Sequence, residues 1–168
     1  MSIIIHTSLG DLKCSLFYKE TPITTKNFLA LAGSSYYNNT IFHRNIKGFI
    51  IQGGDPTSTG KGGESIYGKA FEDEINPRLK HNKRGLISMA NSGKDSNKSQ
   101  FFITYDGNES LDGKFTLFGK VIEGNDVLDL MEKAEVDKKY KPINEILLLS
   151  ITILFNPIAL KSIGMDVE

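Results

Sequence analysis

The run Ile41-Phe42-His43-Arg44-Asn45-Ile46-Lys47-Gly48-Phe49-Ile50-Ile51-Gln52-Gly53-Gly54-Asp55 sets one permanent cation among large apolar side chains. Downstream of Arg44 lie an uncharged Gln52 and a pair of glycines. Alternate side chains of an extended segment share a face, so Ile50 and Gln52 are expected on the face that carries Arg44. The predicted result is an apolar pocket with a guanidinium at its lip. Such a site has no nucleophile, no acid–base pair and no set of metal ligands. His43 has no second His two or four residues on, so no metal role is read there. A reaction that breaks no covalent bond remains open to it.

Outward from this run the chain reads as mainly β. Ile3 to Ile5 and Leu12 to Phe17 are short strands joined through Ser8-Leu9-Gly10-Asp11. Pro22 opens a helix that stops at Gly33, with Phe28, Leu31 and Ala32 toward a core. A second helix comes late, capped by Asn125 and striped by Val127, Leu128 and Met131. Ile146 to Phe155, interrupted by Ser150 and Thr152, is too short to span a bilayer as a helix and suits a buried strand. Many short strands with two isolated helices imply a barrel or sandwich rather than alternating strand–helix units.

The chain of 168 residues suits a single domain that buries roughly 70% of its unfolded surface. Its 20 basic and 20 acidic side chains cancel, so no net field draws it to nucleic acid or to an anionic membrane. One cysteine, Cys14, cannot form an internal disulfide, and no basic and apolar leader opens the chain. The expected setting is cytoplasm or nucleus, where the Asn-x-Ser/Thr triplets at Asn38, Asn97 and Asn108 go unused. The loop from Gly53 to Gly63 fails the phosphate-loop spacing, because Gly54 and Gly60 enclose five residues and Gly62 follows Lys61. Glu72-Asp73-Glu74 reads as a solvated or strand-edge charge run, with Lys69 and Arg78 as nearby partners. His6 and His81 read as surface or edge residues, and Ser88, Ser92 and Ser99 show no His–carboxylate arrangement.

Three further blocks follow in order: Ser88-Met89-Ala90-Asn91-Ser92-Gly93, Ser99-Gln100-Phe101-Phe102-Ile103, and Leu111-Asp112-Gly113-Lys114 leading into Phe118-Gly119-Lys120-Val121. With the opening run they make the chain resemble the cyclophilins, the barrel-fold peptidyl-prolyl cis–trans isomerases, from about residue 3 to 156. The runs from Phe42 to Phe49, Phe101 to Gly107 and Ile153 to Pro157 are most similar to the small single-domain, spliceosome-associated cyclophilins (the cyclophilin J or isomerase-like group).

The resemblance implies an eight-stranded antiparallel β-barrel with a helix over each open end, spanning 1–156, and a C-terminal tail at 157–168. It implies a reaction too, rotation about X–Pro bonds, with Arg44 as the catalytic group and no cofactor or metal. The proline ring would sit among Phe49, Ile50, Phe102, Leu111 and Phe115. Gln52 would bind a substrate carbonyl and help to hold Arg44. Ala90, Asn91 and Ser92 would pair with the extended peptide, Gln100 would line the adjoining groove, and His43 would flank the site. Gly62 and Gly63 would let their loop approach the residue before proline. Ser110 stands where well-known cyclophilins carry the Trp that bonds cyclosporin, and Phe115 where they carry a His, so weakened cyclosporin binding is expected.

Two functional readings follow. One is a monomeric isomerase acting on proline-containing peptides or proteins, in folding or within the spliceosome. The other is a scaffold module that binds proline segments or spliceosomal proteins with incidental turnover or none.

Overall fold

The computed structural model describes residues 1–164. The strands β1 (Ser2–Thr7) and β2 (Gly10–Leu16) form the expected hairpin, in register from Thr7 opposite Gly10 to Ser2 opposite Ser15. Alternation buries Ile3, Ile5 and Thr7 on one strand and Leu12, Cys14 and Leu16 on the other. Helix α1 (Pro22–Gly33) begins with proline, whose missing N–H costs nothing in a first turn. Phe28, Leu31 and Ala32 are buried from it.

Its N-terminus corrects one expectation. Glu74 is not a solvated charge: its carboxylate accepts from the Ile23 and Thr24 amides at 3.2 and 2.6 Å, satisfying two donors that the helix leaves free. Asp73 is likewise engaged, accepting from Asn97 Nδ2 at 2.8 Å and the Asp95 amide at 3.1 Å.

The remaining strands are β3 (Thr40–Ile41), β4 (Arg44–Ile46), β5 (Ile50–Gly53), β6 (Leu86–Met89), β7 (Phe101–Thr104), β8 (Leu117–Glu123) and β9 (Leu147–Phe155). All pairs are antiparallel, in the order β3-β9-β1-β2-β8-β6-β7-β5-β4. The two ends of that order, β3 and β4, are separated in the chain by Phe42 and His43 alone. The sheet therefore curls until its edges meet in one broken strand. Counted as that strand, β3 and β4 reconcile the nine segments with the eight-stranded barrel. Edge-to-face rings fill the interior: Phe101 meets Phe28 at 5.4 Å and Tyr37 at 5.6 Å.

Helix α2 (Asn125–Lys133) packs on β2 and β4 with Val127, Leu128 and Met131 buried. Gly124, at φ +114°, is its cap; Asn125 lies one residue inside and accepts from Arg84 Nε at 2.9 Å. The strand β9 is less buried than its composition suggests, because it lies at the seam: Leu148 is enclosed, Ile151 and Ile153 are half-buried, and Leu149, Leu154 and Phe155 are exposed. A third helix, α3 (Pro157–Ser162), follows, with Asn156 Oδ1 accepting from the Ile158 and Ala159 amides. Residues 165–168 of the expected tail lie outside the described residues.

Candidate active site

The turn at Lys47-Gly48 folds β4 back on β5, with Arg44 directly opposite Gln52 and Ile46 opposite Ile50. Arg44, Ile50 and Gln52 thus share a face as expected, but across two strands rather than along one. Asn45 points the other way, where its Nδ2 donates to the Met131 carbonyl at 2.8 Å and its Oδ1 accepts from the Tyr105 hydroxyl at 2.7 Å. These buried bonds tie the hairpin to α2 and to the residue that follows β7. Arg44 is exposed and, among the described residues, has no carboxylate within salt-bridge range.

Register carries the row onward. Gln52 lies opposite Phe102 on β7, and Phe102 opposite Ser88 on β6. Arg44, Gln52, Phe102 and Ser88 therefore form one transverse line on the outer face of the barrel, while Phe101 and Ile103 fill its core. Over this line sits an apolar cluster separate from the main core: Ile50, Phe102 and Leu111 are buried, with Phe49, Ala90 and Phe115 packed against them. Phe102 and Phe115 meet edge to face at 5.5 Å. Leu111 ends a short 3₁₀ turn, Glu109–Leu111, whose Asn108 cap accepts from the Ser110 amide and hydroxyl.

Beside the cluster runs a groove of about 320 Å³, lined by Gln52, Gly60 to Gly62, Ala90 to Ser92, Ser96, Lys98 and Gln100. Gln52 Nε2 donates to Gln100 Oε1 at 3.0 Å, and Gln100 Nε2 to the Gly62 carbonyl at 2.9 Å. Gln52 is thus held by Gln100, and no bond to Arg44 is present among the described residues. Ala90 donates its amide to the Gln100 carbonyl, Asn91 Nδ2 binds the Lys114 carbonyl, and Ser92 is exposed.

One buried carboxylate shapes the loop beyond. Asp55 accepts from the amides of Thr57, Thr59, Gly60 and Gly62 and from the Thr57 hydroxyl. Burial pushes its pKa up, and these bonds outweigh that, leaving it below the ordinary carboxylate range. A Cβ on Gly62 would strike Thr57 and Asp55, and one on Gly63 would strike Ser99. Both glycines serve the packing of their own loop. His43 lies against Gly60, on the loop side of Arg44; burial holds its pKa down, and its Nδ1 has no partner among the described residues.

The family described as "Cyclophilin type peptidyl-prolyl cis-trans isomerase/CLD" matches residues 2–153. The chain belongs to the cyclophilins. It is 63% identical over 159 residues to peptidyl-prolyl cis-trans isomerase-like 3 of Dictyostelium discoideum, covering 95% of this chain and 99% of that one. The human protein of the same name is 56% identical over 160 residues, with the same coverage. A crystal structure of a Cryptosporidium parvum cyclophilin type isomerase, determined in the presence of the dipeptide Ala-Pro, superposes with a TM-score of 0.91 at 54% identity. That match covers 93% of this chain and all of the other.

In this cyclophilin His81 is not at the surface. It is 1% exposed, with Nδ1 2.8 Å from Asp112 Oδ1 and Nε2 2.6 Å from Ser88 Oγ. Its ring stacks on Phe102 at 6.3 Å and 25°. A Ser–His–carboxylate chain therefore exists where none was expected: Ser88 lies 7 residues and Asp112 31 residues beyond His81, and β6 and the 3₁₀ turn bring the three together. It is no nucleophilic triad, since Ser88 is sealed from solvent.

Proposed function

We propose that this cyclophilin accelerates rotation of X–Pro bonds by binding the proline ring in the cluster of Phe49, Ile50, Phe102, Leu111 and Phe115, with Arg44 at its edge. The observation that carries the reading is the transverse row, which sets a guanidinium, without a carboxylate partner among the described residues, beside an apolar cluster outside the core. Planar amide resonance sets a barrier near ~20 kcal/mol. As the bond twists, the prolyl nitrogen regains a lone pair that Arg44 can hydrogen-bond while keeping its own proton. The twisted amide has also lost charge separation, so a dry pocket disfavours it less than the planar form. Gln52 has a second amide N–H for a substrate carbonyl once the first is given to Gln100. The Ala90-Asn91-Ser92 segment offers backbone to an extended peptide as an added strand.

A charge-assisted bond contributes about 1.5–3 kcal/mol, whereas a rate gain of ~10⁵ needs roughly 7 kcal/mol. Desolvation and a fixed twisted geometry supply the balance. Arg44→Ala should therefore lower the catalysed exchange rate of an X–Pro peptide by roughly ten- to a hundredfold, with the fold unchanged by circular dichroism. Capture of proline peptides that survives this change, from a wild type that never accelerates exchange, would establish the scaffold reading instead.

The exposed Ser110 offers no indole donor. Cyclosporin should inhibit this protein weakly, and Ser110→Trp should tighten inhibition by about tenfold, read from the exchange assay. We propose further that it acts in the nucleus on proline segments of spliceosomal proteins, a reading supported by the similarity of the Phe101–Gly107 and Ile153–Pro157 runs to spliceosome-associated cyclophilins; co-purification of tagged protein with splicing complexes tests it.

A further inference from the structure

We propose that His81 is a positioning residue for isomerisation, holding two walls of the proline pocket, Phe102 and Leu111, through its contacts with Ser88, Asp112 and the Phe102 ring. The inference rests on the isomerase reading of the same site and extends it to a residue beneath the substrate.

The geometry runs as a continuous support. Ser88 is the cross-strand neighbour of Phe102, so a side chain bonded to Ser88 lies alongside that ring. His81 fills this place, stacked on Phe102. Asp112 follows Leu111 directly and grips His81 twice, accepting from its amide at 2.7 Å and facing Nδ1 at 2.8 Å. A second tie is the bond from the Asn108 amide to the His81 carbonyl at 2.8 Å, and Asn108 caps the turn that presents Leu111. One residue thus connects β6, β7 and the turn, the three pieces that supply the buried Phe102 and Leu111 walls.

Protonation states follow from the partners. Ionised Asp112 only accepts, so Nδ1 carries a hydrogen and donates. Neutral Nε2 then accepts from the Ser88 hydroxyl. A second ring proton would reverse that bond, turn the Ser88 hydroxyl away and place a charge in a buried site. The charged groups around the ring are Asp112 and, beside Asp112, Lys80; β6 and β7 present Ser88 and Phe102, which do not titrate. Burial holds the imidazole pKa below its ordinary value against the pull of Asp112. The pocket walls should therefore stay fixed at neutral pH and loosen in acid, giving the exchange rate an acid limb that Arg44 cannot produce.

The test measures kcat and KM for an X–Pro peptide by NMR exchange between about pH 4 and 8. His81→Asn keeps a donor toward Asp112 but cannot reach Ser88 or titrate. It should lower kcat by about tenfold with KM within about twofold, and abolish the acid limb. Asp112→Asn keeps an oxygen for Nδ1–H without its charge, so the limb should move to lower pH. The limb should persist in His43→Gln, which removes the other histidine near the site. Wild-type kcat and an unchanged limb in His81→Asn would overturn the proposal. If that variant does not fold, the wild type decides: Phe102 ring resonances and the acid limb must share the midpoint of the His81 imidazole, and separate midpoints overturn the proposal. A wild type inactive at every pH would instead sink the isomerase reading.

Discussion

Among the described residues Arg44 has no carboxylate within salt-bridge range, so its guanidinium stands unshared beside the apolar pocket, the residue-level basis of the proposed chemistry. Cys14 shows the opposite treatment of a reactive group. It is fully buried on β2, and burial pushes its thiol up to about 12. A thiol reagent should leave native protein unlabelled and modify it only in denaturant, which mass spectrometry reads directly; fast native labelling would show that β2 opens. Such contrasts are only partly legible in sequence. The shared face of Arg44 and Gln52 follows from strand alternation, whereas Phe102 is singled out only by the resemblance that its run carries. His81 was not readable, since Asp112 lies 31 residues beyond it, and Ser88, 7 residues on, reaches it only through the fold of β6. Asp55 was missed for another reason: a carboxylate that gathers amides from its own loop looks in sequence like any acidic turn residue.

At the scale of elements, periodicity recovered what local chemistry decides. The β1–β2 hairpin and the limits of α1 follow from alternation, Pro22 and Gly33. What periodicity cannot supply is the partner of an element's end. Glu74 reaches α1 from 50 residues away, and Glu74→Ala would leave the Ile23 and Thr24 amides without it. The expected loss is about 1–2 kcal/mol, seen as a lower urea midpoint at unchanged slope. Glu74→Gln, which retains an acceptor oxygen, should lose less. An unaltered midpoint in Glu74→Ala would mean that water replaces the cap. The strand β9 teaches a related lesson: a β-branched apolar run reports strand tendency, while its burial depends on which neighbours the topology provides.

For the whole molecule, acid should act in two stages. His43 and His81 are held below the ordinary imidazole value, so the unfolded chain takes up protons first as pH falls past about 6.5. Stability is full above that pH and declines toward the folded-state values. Asp55 and Asp112 are held below the ordinary carboxylate value, so their contribution is full above about pH 4 and is lost below it. Urea midpoints across pH should show both declines, and His81→Asn should shrink the first and, by weakening the hold on Asp112, part of the second, leaving the share of Asp55; a flat profile from neutral to about pH 4 would contradict the first. The broken strand has a further consequence. Thr40 and Ile41 clasp Leu148 and Leu147 at the far end of the chain, while Arg44, on the same broken strand, stands opposite Gln52. The backbone that carries Arg44 is therefore paired from both directions only once the last strand has docked. Turnover becomes a signal of completed synthesis, and a nascent chain still short of Leu147 would be a silent enzyme.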